Sequence, residues 1–255
     1  MSLKSPVKYI QKTYRDASKT LENMVSSHVS WSPSPTLKRG LSIFSLVQFA
    51  LFVPLTLWVR RHMIDTTDVK ITQTMQRYDS AVMRGARALS DLDSPKFLTV
   101  AVLPVALLLW KVHLRLEAVI LLAMSWTGEI AKSILKNVIN RPRPNPALVH
   151  VWKKADGPSY PSGNVLASVT LWGWLFALGL IYWRQKPAWQ KALLAVPLLL
   201  IALDGPSRVY LGDHWTSDVI GGYLFGSGWL ALWFRIYLLL RGKHILEFPE
   251  TIGLP

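Results

Sequence analysis

The chain has 255 residues, of which 51% are hydrophobic, and it contains 12 tryptophans. It has no cysteine, which excludes disulfides, thiolate nucleophiles and cysteine-based metal sites. The formal net charge of +14 would suit nucleic acid in a soluble protein. The basic residues form no stretch interleaved with aromatic residues, however, so we predict no nucleic-acid partner.

The first 40 residues predict a basic amphipathic helix and a linker. Apolar residues recur every three or four positions, at Val7, Ile10, Tyr14, Ala17, Leu21 and Met24, with basic residues on other faces. We interpret this segment as a helix on the cytoplasmic membrane surface, with a short pairing helix or a partly disordered tail as the alternative. No cleavable signal peptide is indicated, because the region is polar and the first apolar block is as long as a true span.

Six apolar blocks then predict six membrane spans. They cover residues 41–59, 97–110, 117–135, 165–183, 191–204 and 218–240. A helix needs roughly 18 to 20 residues to cross a bilayer core, and the second and fifth blocks reach that length only by extension. The predicted fold class is all-α: a polytopic membrane protein with about six transmembrane helices over residues 41–240, an N-terminal surface helix and linker at 1–40, and a cytoplasmic tail at 241–255.

The loop between the first two blocks carries a helical stripe at Ile71, Met75, Tyr78, Val82 and Leu89. It predicts a cap helix packed on the membrane face, with ordinary loop structure as the alternative. The loops after the second and fourth spans are short and basic, and both ends of the chain are basic too. This distribution predicts a multi-pass protein of the cell membrane with cytoplasmic termini.

Two polar clusters between the third and fourth spans are not explained by the bilayer, where ionisable groups are costly. In "KNVINRPRP", Lys136 ends the third span, and the prolines hold Arg141 and Arg143 on a stiff segment that presents guanidinium groups outward. A positively charged segment that merely ends the third span explains this cluster equally well. In "YPSGNVLAS", Ser162 and Gly163 open a helix whose N–H groups can bind an anion; a plain span start is the alternative.

The third cluster, "SRVYLGDHWTSD", lies between the fifth and sixth spans. His214 and Asp218 are four residues apart, so on a helix the carboxylate can bond one imidazole nitrogen and leave the other nucleophilic. Arg208 precedes them across a turn. The chain crosses the membrane twice between the second and third clusters, so all three clusters emerge on one face. Together they have the composition of a phosphoryl-transfer site built without metal.

These clusters resemble the signatures of the type 2 phosphatidic acid phosphatase superfamily, the integral-membrane lipid phosphate phosphatases. The signature Lys-x6-Arg-Pro runs here from Lys136 to Pro144, and Ser-Arg-x5-His-x3-Asp runs from Ser207 to Asp218. The resemblance covers about residues 95–240. It implies a six-span helical core and a phosphatase that uses no metal and no other cofactor.

The resemblance also implies a role for each signature residue. His214 would attack phosphorus to form a phosphohistidine, and Asp218 would orient its ring. The phosphate oxygens would be bound by Lys136, Arg143, Ser162, Gly163 and Arg208.

Asn164 departs from the second signature, Pro-Ser-Gly-His. In the family that histidine protonates the leaving oxygen, whereas asparagine has a similar shape but no useful proton at neutral pH. Losing a general acid costs roughly 100- to 10,000-fold in rate. Two interpretations stay open: an engineered substitution that keeps the shape and stalls turnover, which the otherwise intact signatures favour, or a natural slow or repurposed member.

Two further residues are candidates for secondary roles. Glu129 lies two helical turns before Lys136, and it either pairs with that lysine, contacts substrate or makes a structural polar contact. Arg141 is the other. Asp213, next to His214, is interpreted as structural.

The sequence thus predicts a membrane phosphatase that removes phosphate from a lipid phosphate or diphosphate at the extracytoplasmic face. Candidate substrates are phosphatidate, phosphatidylglycerophosphate and polyprenyl diphosphate, whose apolar chain would enter sideways between spans. The predicted partners are this lipid and the bilayer. The alternatives are a lipid phosphotransferase and a non-catalytic lipid-phosphate binding or transport protein.

Overall fold

A computed structural model describes residues 33–78, 85, 95–152, 155–184 and 186–242, and this part of the chain is helical without strands. Its helices are α1 (Pro35–Arg61), α2 (Thr66–Arg77), α3 (Pro95–Lys111), α4 (Arg115–Ile139), α5 (Gly163–Tyr182), α6 (Ala188–Ala192), α7 (Ala195–Tyr210) and α8 (Thr216–Arg241). The predicted surface helix near the N-terminus lies outside the described residues.

Five segments of the described chain are long and apolar enough to cross a membrane: α1, α4, α5, α6 with α7 as one unit, and α8. The fifth predicted block, residues 191–204, extends at both ends to Ala188–Tyr210. The second, residues 97–110, corresponds to α3, a shorter apolar helix of 17 residues. The predicted all-α polytopic membrane fold is confirmed, with five candidate spans of full length and one shorter helix.

Helix α8 packs against five other helices, namely α1, α2, α4, α5 and α7. Small residues allow this close approach. A Cβ atom at Gly222 would lie 2.9 Å from the backbone oxygen of Ser162, so the turn before α5 rests directly on α8. The contact matters because the same end of α8 carries Asp218 in its first turn.

The helix ends at this side of the bundle are set by local signals. Helix α4 stops at Asn140, whose φ of 48° is left-handed, and the following Arg-Pro-Arg-Pro segment is not helical. The backbone N–H of Trp215 donates to Oδ2 of Asp218 at 2.9 Å, which fixes the start of α8. The N–H of Ser162 donates to the backbone oxygen of Asp218 at 3.0 Å. The three predicted polar clusters therefore meet at one end of the bundle.

Helix α2 lies where the stripe between the first two spans predicts a cap, and Met75 of this stripe packs against the core. Ile71 and Tyr78 of the stripe are exposed, whereas Asp68 is buried. The reason is electrostatic: Asp68 pairs with Arg141, and a buried charge is stable only with its partner. The stripe positions after residue 78 lie outside the described residues.

Candidate active site

A histidine and a carboxylate are buried together at the start of α8. Nδ1 of His214 lies 3.5 Å from Oδ2 of Asp218, and the two side chains are 1% and 0% exposed. The hydroxyl of Ser159 donates to the same carboxylate oxygen and lies 3.3 Å from Nδ1 of His214. These contacts fix one ring nitrogen and leave Nε2 for chemistry.

The position of Arg141 corrects the sequence-based expectation. Its guanidinium was predicted to point outward, but the residue is fully buried. Nη1 donates to Oδ1 of Asp218 at 2.6 Å, and Nη2 donates to Oδ2 of Asp68 at 2.7 Å. Burial acts to lower the pKa of Arg141, but the two carboxylates raise it above its ordinary value overall. Arg141 therefore holds Asp218 from behind instead of facing a phosphate.

Two other arginines lie beside Asp213, the residue before His214. Nη1 of Arg143 is 3.4 Å from Nε2 of His214, and Nε of Arg208 donates to Oδ1 of Asp204 at 2.9 Å. The carboxylate of Asp213 lies between them, 3.3 Å from Nη1 of Arg143 and 4.0 Å from Nη1 of Arg208. Asp213 thus contacts both arginines, and its structural role stays a prediction.

The remaining predicted ligands come from α4 and from the start of α5. Nζ of Lys136 donates to the backbone oxygen of Ser159 at 3.3 Å. The hydroxyl of Ser162 is buried and has no hydrogen-bond partner among the described residues. Such a hydroxyl is the kind of group that a ligand or a water molecule satisfies. Asn164 follows in the first turn of α5 and is 2% exposed.

Glu129 pairs with Lys132, one turn away, and not with Lys136. Lys132 is 7% exposed and passes close to α5: a Cβ atom at Gly163 would lie 2.9 Å from its Cδ and 3.3 Å from its Nζ. The absence of a side chain at Gly163 is what lets this lysine approach. Lys132 stands outside the three signatures, and its only sequence signal is its position one turn before Lys136.

The environment of His214 keeps its imidazole neutral. Burial lowers the pKa of His214 below its ordinary value of 6.5, and the hydrogen bond to Asp218 opposes this shift only in part. We expect protonation only below pH 6.5, so the ring is nucleophilic at neutral pH. Titration of the ring signals by NMR in detergent measures this, with His214→Gln to assign the signal. A midpoint at or above 6.5 would contradict the argument from burial.

Comparison with known proteins points to the family that the signatures resemble. Residues 117–241 match the family model described as PAP2 superfamily. The chain is 29% identical over 189 residues to lipid phosphate phosphatase delta of Arabidopsis thaliana. This alignment covers 70% of this chain and 44% of that protein. It is 34% identical over 104 residues to an undecaprenyl-diphosphatase of Sulfolobus acidocaldarius. This second alignment covers 41% of this chain and 45% of that protein. The chain thus spans less than half the length of either relative.

One solved structure has a similar fold. It is the crystal structure of the first transmembrane PAP2 type phosphatidylglycerolphosphate phosphatase from Bacillus subtilis, which matches with a TM-score of 0.65. The match covers 80% of this chain and 98% of that chain at 19% identity. At this identity the likeness concerns the fold alone.

Proposed function

Because the chain carries a PAP2 superfamily domain over residues 117–241 in a polytopic helical membrane protein, we propose that it is a phosphatase for a lipid phosphate or diphosphate. The observation that carries the proposal is the buried pair of His214 and Asp218, with Nε2 of His214 3.4 Å from Arg143. Binding an anion alone does not need an imidazole that is oriented by a carboxylate. The names of the two relatives support a lipid substrate with a phosphate or diphosphate headgroup.

The proposed reaction has two steps on His214. Nε2 donates its electron pair to phosphorus while the bond to the leaving oxygen breaks, which gives a phosphohistidine. Arg143, Arg208 and Lys136 stabilise the equatorial oxygens, where charge lies in the transition state. Water then attacks phosphorus, the phosphorus–nitrogen bond breaks, and both hydrogens of the water stay on the released phosphate. Because side-chain cations carry this stabilisation, the scheme has no step that needs a metal.

We further propose that the reaction takes place on the extracytoplasmic face and that both termini are cytoplasmic. The distribution of Lys and Arg among the loops supports this orientation. The exposed surface of α4 near the site is apolar at Trp126, Ile130 and Ile134, as suits a helix in contact with lipid. A substrate with its chain in the bilayer would then reach the cations from the side.

Asn164→His is expected to raise phosphate release from a lipid monophosphate by about 100-fold, because an imidazolium can protonate the leaving alkoxide and an amide cannot. The measurement is inorganic phosphate released in detergent with EDTA from phosphatidate, phosphatidylglycerophosphate and polyprenyl diphosphate. Asn164→Gln is the matched control, since it changes the side chain without adding a titratable group. If neither the unmodified chain nor Asn164→His releases phosphate from any substrate, the phosphatase proposal fails in favour of binding or transport.

A further inference from the structure

Lys132 on α4 packs against Gly163, the residue before Asn164 in the first turn of α5. We propose that Lys132 contacts the substrate and stabilises an anionic leaving group, so that the chain acts on lipid diphosphates in preference to lipid monophosphates. This inference rests on the proposed phosphatase function. Two features support it: Lys132 is a buried cation outside the signatures, and Asn164 stands where the family has its proton donor.

Lys132 is positioned between the start of α5 and the lipid-facing surface of α4. Its side chain is 9% exposed, and its Nζ lies 3.3 Å from the Cβ position of Gly163. Its partner Glu129 is 42% exposed and lies between the exposed residues Trp126 and Ile130. A lipid held at the predicted phosphate ligands must join its apolar chain to its headgroup across this boundary. In the proposed reaction the leaving group would then lie on that side of the reacting phosphorus.

The charges in this part of α4 favour an anion with two phosphates. Ionisable residues within membrane spans are costly and mark functional sites by default. Lys132 and Lys136 are one turn apart on one helix face, where like charges destabilise a helix. Glu129, whose side chain is 42% exposed, pairs with Lys132 and offsets part of this repulsion. A terminal phosphate at Lys136 and a second phosphate at Lys132 would relieve the repulsion that remains.

Asn164 fits a diphosphate because the leaving group of a diphosphate needs no proton. When His214 attacks the terminal phosphorus, the bond to the bridging oxygen breaks and its electron pair stays on the lipid monophosphate. The second pKa of a phosphate monoester is about 6, so this group leaves as a stable dianion at neutral pH. A lipid monophosphate must instead expel an alkoxide, whose conjugate acid is about as weak as water. The lack of a proton donor therefore lowers the reaction rate little with a diphosphate and strongly with a monophosphate.

Charge is conserved in this scheme without an acid. Neutral His214 and a diphosphate with three negative charges give a phosphohistidine with one net negative charge and a lipid monophosphate with two. The new charge develops on the bridging oxygen, where the ammonium of Lys132 offsets it. Water then releases the phosphate from His214 as described above.

The test compares farnesyl diphosphate with farnesyl monophosphate, which share one apolar chain, in detergent with EDTA. The unmodified chain is expected to prefer the diphosphate by at least about 100-fold in kcat/KM. Lys132→Met should lower kcat/KM for the diphosphate by about 10- to 100-fold, as loss of a hydrogen bond to a charged group does, with a smaller effect on the monophosphate. Lys132→Arg should keep most of the activity because it keeps the charge. Asn164→His should raise kcat/KM for the monophosphate more than for the diphosphate, and so reduce the preference for the diphosphate.

Each alternative result overturns the assignment in a distinct way. An equal loss on both substrates in Lys132→Met means a general role in folding or phosphate binding. A larger loss on the monophosphate makes Lys132 a proton donor, and a preference of the unmodified chain for the monophosphate removes the leaving-group argument. Phosphate release from neither substrate by any variant overturns the phosphatase function itself. Ser133→Ala, at an exposed neighbour on α4, is the matched control and should change neither rate.

Discussion

His214→Gln is expected to lower phosphate release by about 10,000-fold or more, as loss of a nucleophile does in other enzymes that form a covalent intermediate. Glutamine keeps a polar side chain of similar reach, but its amide nitrogen has no available electron pair to attack phosphorus. The distance of 3.5 Å between Nδ1 and Asp218 makes the nitrogen Nε2 the reacting atom. The rate is measured as inorganic phosphate from the preferred lipid substrate, with EDTA present.

The same variant tests the covalent intermediate directly. Rapid quenching with substrate labelled at the terminal phosphorus should leave an acid-labile label on the unmodified chain and none on His214→Gln. His62→Gln is the matched control, since His62 is an exposed histidine at the end of α1 and should leave both readouts unchanged. A labelled His214→Gln variant with an unchanged rate would mean that another group is the nucleophile.

The spacing of the signatures is enough to predict which residues meet in the candidate site. His214 lies two residues before α8, which begins at Thr216, and Asp218 lies in the first turn of this helix, so the two side chains are 3.5 Å apart. Helix α4 ends at Asn140, and Pro142 keeps the following segment non-helical, where Arg143 lies 3.4 Å from the imidazole. These are consequences of short-range geometry, which the order of residues fixes. The polytopic helical fold follows in the same way from the length of the apolar blocks.

Side-chain directions in the non-helical segment could not be predicted from the sequence. Arg141 and Arg143 alternate on one extended stretch, and no helical periodicity decides which of them faces inward. The partner that decides it, Asp68, lies 73 positions away on α2. Within the described part of the stripe, Met75 packs against the core and Ile71 and Tyr78 are exposed, whereas Asp68 is buried in its pair with Arg141.

Lys132 shows a second limit of the sequence. A basic residue inside an apolar block is visible in the sequence, but its function depends on what the neighbouring helix leaves open. Only the contact between Lys132 and the bare backbone of Gly163 places it at the start of α5. Glu129 lies two turns before Lys136, which makes that lysine a candidate partner, yet Glu129 pairs with the nearer Lys132. The choice between two lysines on one face is made by packing.

Arg141→Met is expected to lower the free energy of unfolding by about 3–5 kcal/mol, the usual loss when one partner of a buried ion pair is removed. Methionine fills much of the same volume, but it leaves the carboxylates of Asp68 and Asp218 buried without their shared cation. Denaturation by SDS in mixed micelles measures the loss. Arg60→Met is the matched control, because Arg60 is exposed at the end of α1 and its replacement should change stability little.

The effect of Arg141→Met on catalysis should separate support of Asp218 from direct contact with substrate. Arg141 donates to Oδ1 of Asp218, whereas Oδ2 faces the imidazole, so its loss should lower kcat with little change in KM. Combining Arg141→Met with Asp68→Asn should cost less stability than the sum of the two single changes, because both remove the same ion pair. A raised KM with unchanged kcat would instead make Arg141 a phosphate ligand. Strict additivity would mean that α2 does not brace the nucleophile through this pair.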